Sequence, residues 1–168
     1  MISITLPDGS IRAFAPGTTP MEVAKNISEG FARNVISASF EGTTIETSTP
    51  LTTDGSLILY TWNDAEGKKA FWHSTSHVMA QVLEEMFPGI QLTLGPAIAN
   101  GFYYDVDFGD QKITEADFKA IESRILEISK EKHEFKMRAV TKAEALETYK
   151  DNVYKTELIS NLEDGTIT

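Results

Sequence analysis

Cysteine is absent from the 168 residues, so no disulfide framework, thiolate metal site or cysteine nucleophile exists within the chain. Apolar runs extend only a few residues, far short of the roughly 20 that span a bilayer, which excludes a membrane helix. Met1 leads straight into the alternation Ile2, Ile4, Leu6 with no basic segment and apolar stretch behind it, so no secretory signal is expected and the compartment reads as cytoplasmic. There is no glycine-rich phosphate loop and no serine-nucleophile motif. Positive charge is scarce: 15 Lys and Arg face 25 Asp and Glu, a net charge of −10. Such a chain holds nucleic acid poorly by itself, so any RNA contact is local or is shared with another part of a larger molecule, and DNA and membrane surfaces are not expected partners. The remaining composition, 41% hydrophobic and 24% charged, is that of a globular protein of one large or two small domains.

Residues 1–62 read as one α+β unit. Ile2, Ile4 and Leu6 alternate as a half-buried strand, Pro7-Asp8-Gly9 turns, and a second strand runs through Ile11 and Ala13. Thr19, Pro20 and Glu22 form a helix start with a capping box, and Gly30 marks a stop. Strands follow at 35–40, at 43–47 after the Glu41-Gly42 turn, and at 56–60. One helix crossing a small mixed sheet is the β-grasp, ubiquitin-like solution to burying both apolar faces. The polar stretch 63–69 reads as a linker.

Residues 70–168 form a second α+β unit in this reading. A helix over 70–87 ends at Pro88-Gly89, a strand occupies 90–94, and Phe102, Tyr104, Val106 and Phe108 alternate with Tyr103, Asp105 and Asp107 in a strand over 102–108. A helix starts at Thr114, residues 135–139 alternate again, a capping box at Thr141 and Glu144 opens a short helix, and Gly165-Thr166-Ile167-Thr168 enters a further strand.

Two of the three histidines, His73 and His77, stand one helical turn apart, separated by about 40° around the axis and turned away from the apolar stripe of Val78, Met79, Val82, Leu83 and Met86. Glu84 falls near the same face. Three readings stay open: a metal site, which needs further ligands; an acid–base or substrate-positioning pair in a cleft; or two surface histidines. The metalloprotease pattern fails, because Ser74 occupies the place of its glutamate. Lys130, Lys132, Lys136, Arg138 and Lys142, set against Glu131 and Glu134, make a local basic run, either a solvated face or a contact for RNA phosphates. Lys155 is either a surface or a site residue.

The segments Ile-Thr-Leu-Pro-Asp-Gly-Ser (4–10) and Thr-Thr-Pro-Met-Glu-Val-Ala (18–24) resemble a TGS domain. His-Ser-Thr-Ser-His (73–77), followed by Leu-Gly-Pro-Ala-Ile-Ala-Asn-Gly-Phe-Tyr-Tyr-Asp-Val-Asp (94–107), is similar to the editing domain of bacterial threonyl-tRNA synthetases. The resemblance covers essentially the whole chain. It implies a TGS domain at 1–62, a linker at 63–69 and the first part of an editing domain at 70–168. It further implies an N-terminal region of a homodimeric, ATP-using ligase that joins threonine to tRNA(Thr), holds zinc in a catalytic domain outside this chain, and hydrolyses tRNA(Thr) mischarged with serine. Within that family His73 and His77 match a His-x-x-x-His pair of the editing cleft, Lys155 matches a site lysine and Tyr104 a site tyrosine. The family's later Cys-x-x-x-His pair has no counterpart, so the editing site is expected to be incomplete and the chain alone inactive, with no cofactor or metal of its own. A non-catalytic regulatory or RNA-binding TGS module and a metal-dependent hydrolase are the competing readings.

Overall fold

The computed structural model describes every residue except Glu134, Thr166 and Thr168. The chain divides into two compact units, Met1–Trp72 and His73–Thr168.

In the first unit the elements are β1 (Ile2–Thr5), β2 (Ile11–Phe14), α1 (Pro20–Ile27), α2 (Glu29–Ala32), β3 (Val35–Phe40), β4 (Thr43–Ile45) and β5 (Gly55–Thr61). They form one five-stranded sheet in the order β2-β1-β5-β3-β4, with β1 and β5 parallel (Ile4 opposite Gly55) and all other pairs antiparallel. Alternation sends Ile2, Ile4 and Leu57 inward, where Leu6, Val23, Ala38 and Leu51 complete the buried core. Each of the isoleucine, leucine and valine side chains contributes on the order of 1.5–3 kcal/mol when fully buried. The expected start of α1 is present in full: the Glu22 carboxylate accepts from the Thr19 N–H at 2.8 Å, and the Glu22 N–H donates to the Thr19 hydroxyl at 3.3 Å. Glu41 and Gly42 both take positive φ, 49° and 78°, as the two-residue turn between β3 and β4 requires, and the Glu41 carboxylate accepts from the Ser56 N–H. Gly30, expected to stop the helix, instead lies inside α2. The break comes two residues earlier at Ser28, whose extended backbone ends α1 and whose hydroxyl caps α2 through the Phe31 N–H at 3.0 Å.

The stretch 63–69 is not a linker loop. Helix α3 runs over Ala65–Met86 and so begins inside it, crossing the boundary between the units. The reason is local: the Asp64 carboxylate accepts from the N–H and hydroxyl of Thr61 at 2.7 and 2.9 Å, and the Asp64 carbonyl accepts the first helical bond from Lys68. Polarity there marks a solvated first turn rather than a break. Trypsin is accordingly expected to spare Lys68 and Lys69 and to cut first at Lys136 and Arg138, which lie in a stretch without regular structure. Mass spectrometry of the early fragments checks this, and first cuts at Lys68 or Lys69 would return that stretch to a linker.

In the second unit α3 is followed by β6 (Gln91–Leu92), β7 (Ala97–Ile98), β8 (Gly101–Phe102), β9 (Val106–Asp107), α4 (Glu115–Glu131), α5 (Lys142–Thr148) and α6 (Val153–Ser160). Val82, Leu83, Phe87, Leu92, Ile121 and Ile128 form its main core, and Ala145, Ile159 and Ile167 a second, smaller one. Arg124 on α4 joins α3 through Glu85 at 2.9 Å. The single strand expected over 102–108 is two short ones on different ladders, β8 with β7 and β9 with β6. The alternation nevertheless holds, with Tyr104, Val106 and Phe108 packed on the core and Tyr103 67% exposed. Residues 135–139 form no strand; no described strand offers them a ladder, and Phe135 and Met137 remain exposed. At Thr141 only half the expected capping box forms: its hydroxyl accepts from the Glu144 N–H, while the Glu144 carboxylate turns to Arg138 at 2.7 Å. The strand expected at 165–168 falls partly outside the described residues, as does Glu134. Among the described residues no helix is long and apolar enough to cross a membrane.

Candidate active site

Helix α3 carries His73 and His77 on one face, with their Nε2 atoms 3.1 Å apart and their rings edge-on at 4.6 Å between centroids. That contact needs one nitrogen to donate and the other to accept, so it forms when at least one ring is neutral. The His77 pKa is pushed below its ordinary value, first by partial burial, then by His73 and Lys155. Ser76, only 1% exposed, sits between the helix and the loop opposite: its hydroxyl lies 2.7 Å from the His73 carbonyl and 3.2 Å from that of Gly95. Gly95 lets Tyr104 approach, because a Cβ there would stand 2.4 Å from the tyrosine ring. Burial, then Glu84 and Tyr149, raise the Tyr104 pKa, which keeps the phenol protonated and able to donate at neutral pH.

Lys155 arrives from α6. Asn152 caps that helix by accepting from the Lys155 N–H at 2.9 Å, and its side-chain amide donates to the Leu92 carbonyl on β6 at 2.9 Å. The Val153 N–H donates to Gln91 Oε1, and the Tyr154 hydroxyl to the Asp107 carboxylate at 2.6 Å. These bonds fix the start of α6 against β6 and β9. The Lys155 ammonium lies 4.2 Å from the centre of the Tyr149 ring. His73, His77, Tyr104, Lys155 and Glu84 thus line one cavity of about 380 Å³, which a small ester group fits.

His73, His77, Tyr104 and Lys155, separated by up to 82 positions in sequence, are therefore brought together. Ser76 and Gly95 fall inside the segments 73–77 and 94–107 that carry the resemblance, and Tyr149 stands six residues before Lys155, but none of the three has a chemical signal of its own in the sequence. The basic run does not join the cavity. Lys130 lies in the last turn of α4, Lys132 caps it in left-handed conformation, and Lys136 lies in the irregular stretch that follows. Arg138 pairs with Glu144, and the Lys142 ammonium donates to the carbonyls of Ser160 and Leu162 at 2.6 and 3.0 Å, closing the end of α6. Arg138 and Lys142 thus have internal partners.

The depressed His77 pKa has a checkable sign. Unfolded, the ring titrates near 6.5; folded, it titrates lower, so its stabilising effect is complete above 6.5 and is lost as pH falls through the folded value. Between pH 7.5 and 5 the urea midpoint of the protein is expected to fall faster than that of His77→Gln, with parallel curves counting against the assignment.

Residues 2–61 match the TGS domain family. Over all 168 residues the chain is 87% identical to the threonine–tRNA ligase of Flavobacterium johnsoniae, 81% to that of Flavobacterium psychrophilum and, over an alignment of 170 positions, 51% to that of Parabacteroides distasonis. In each case the whole chain is covered, and it spans 26% of the relative's length. The chain therefore matches the TGS domain family at residues 2–61 and is similar, from end to end, to about a quarter of a threonine–tRNA ligase.

Proposed function

We propose that the chain serves a threonine–tRNA ligase as its TGS domain and as part of the site that hydrolyses L-seryl-tRNA(Thr). The observation that carries this reading is the convergence of His73, His77, Tyr104 and Lys155 on one cavity. Serine lacks one methyl of threonine, and a pocket built for threonine rejects it by only about 1–3 kcal/mol, so a second, hydrolytic site is needed. Water attacks the ester carbonyl, and an imidazole of the His73/His77 pair takes the water's proton, His73 being the chemical partner and His77 shaping the pocket. The Lys155 ammonium or the Tyr104 phenol stands near the oxygen that leaves as the tRNA hydroxyl. Domain boundaries follow as TGS at 1–62 and editing domain from 70 onward, α3 joining them.

The same reading places the ligation of threonine with ATP, and the zinc that accompanies it, in a part of the ligase outside this chain. Among the described residues no three His, Asp or Glu side chains group as metal ligands. The working protein is a cytoplasmic homodimer whose partner is tRNA(Thr), with Lys130, Lys132, Lys136, Arg138 and Lys142 as the face nearest its phosphates. The test is the Flavobacterium johnsoniae ligase carrying this chain over the matching residues, against the same ligase with them deleted. Only the first is expected to hydrolyse preformed L-seryl-tRNA(Thr); equal rates would end the editing reading.

A further inference from the structure

The cavity brings one ammonium and two imidazoles up to a single carboxylate. Lys155 and the two imidazoles face it, and Glu84 is the one carboxylate among the described residues that line it. The neighbours of Glu84 are engaged elsewhere: Gln81 donates to Glu85 at 3.0 Å, and Glu85 also pairs with Arg124 at 2.9 Å. Glu84 makes no hydrogen bond or ion pair with a described residue, yet its charge reaches Tyr104 across the cavity.

Helical geometry puts this carboxylate where a substrate group belongs. Seven residues after His77 and eleven after His73, Glu84 lies within about 20° of both around the axis and about 10 Å along it from His77. Side chains on a helix lean toward its N-terminus, so Glu84 leans toward the histidines. A water hydrogen-bonded to an imidazole, the carbonyl it attacks and the α-ammonium beyond span about 8 Å together. The ammonium of an aminoacyl ester is repelled by Lys155 and needs an anion at that distance.

We propose that Glu84 receives the α-ammonium of the aminoacyl ester and so orients its carbonyl toward the histidine pair. This rests on the hydrolytic reading above. It makes Glu84 a substrate-orienting residue that recognises the free amine common to serine and threonine.

The test compares L-seryl-tRNA(Thr) with N-acetyl-L-seryl-tRNA(Thr), which lacks the positive charge, as substrates of the same chimaeric ligase. Glu84 is exposed, so Glu84→Gln and Glu84→Asp leave the core untouched. Glu84→Gln is expected to lower kcat/KM for the free amine by about 10–100-fold, the worth of a hydrogen bond to a charged group. Its effect on the acetylated ester is expected to stay within about threefold, and Glu84→Asp recovers part of the loss. Equal losses on both esters, or none on the free amine, would overturn the assignment. An unmutated chimaera that hydrolyses neither ester would instead overturn the hydrolytic reading and this inference with it.

Discussion

His73→Ala in the full-length ligase is expected to slow hydrolysis of L-seryl-tRNA(Thr) by about 10²–10⁴-fold, the usual cost of removing a positioned acid–base group. Attachment of threonine is expected to change little, because the proposed reading puts that chemistry outside this chain. Removing His73 also removes the 3.1 Å contact that orients His77, so His73→Ala and the double variant with His77→Ala should differ far less than the product of the single effects. Deacylation time courses on preformed seryl-tRNA measure both. A His73→Ala ligase that deacylates at the parent rate would take His73 out of the chemistry and leave His77, Lys155 and Tyr104 to explain the cavity.

Gly67→Ala is expected to destabilise the first unit by about 1–3 kcal/mol, although glycine to alanine in a helix ordinarily stabilises by up to about 1 kcal/mol. The sign reverses because a Cβ on Gly67 would stand 2.0 Å from the Thr61 carbonyl oxygen and 2.8 Å from its carbon, both backbone atoms that no rotamer change can move. Relief requires the start of α3 to shift away from the end of β5, which breaks the bonds that Asp64 makes to Thr61. Urea unfolding of the variant checks this. A raised midpoint would show that the helix start moves at no cost.

What could be read in the sequence was local. Asp8-Gly9, Glu41-Gly42 and the Thr19/Glu22 box each act within a few residues, and each formed where expected. The His73/His77 pair was visible for the same reason, as a fixed helical offset. Misreadings came where the outcome depends on a distant partner. The alternation at 135–139 is as regular as that at 102–108, but only the latter meets the ladders of β6 and β7 and the core of α3 and α4. Helix α6 carries no strong apolar stripe, since Val153 is exposed and Ile159 is its one buried residue; the capping asparagine at 152 was its only local signal. Without α6 nothing placed Lys155 beside the histidines except the resemblance. The charge count likewise could not show where Lys142 is held, because the carbonyls that accept from it lie 18 and 20 residues further on.

The parallel pairing of β1 with β5 governs how the first unit comes into being during synthesis. β1 with β2, and β3 with β4, can form as hairpins as soon as they leave the ribosome, yet each is a two-stranded piece of marginal stability in water. β5, which lies between β1 and β3, is made last, some 50 residues after the strand it must join. At about 5–20 residues per second the first hairpin therefore waits several seconds with its open edge available to other chains. Nascent chains stalled before Gly55 should remain protease-sensitive throughout, and those extended past the exit tunnel beyond Thr61 should become resistant in a single step.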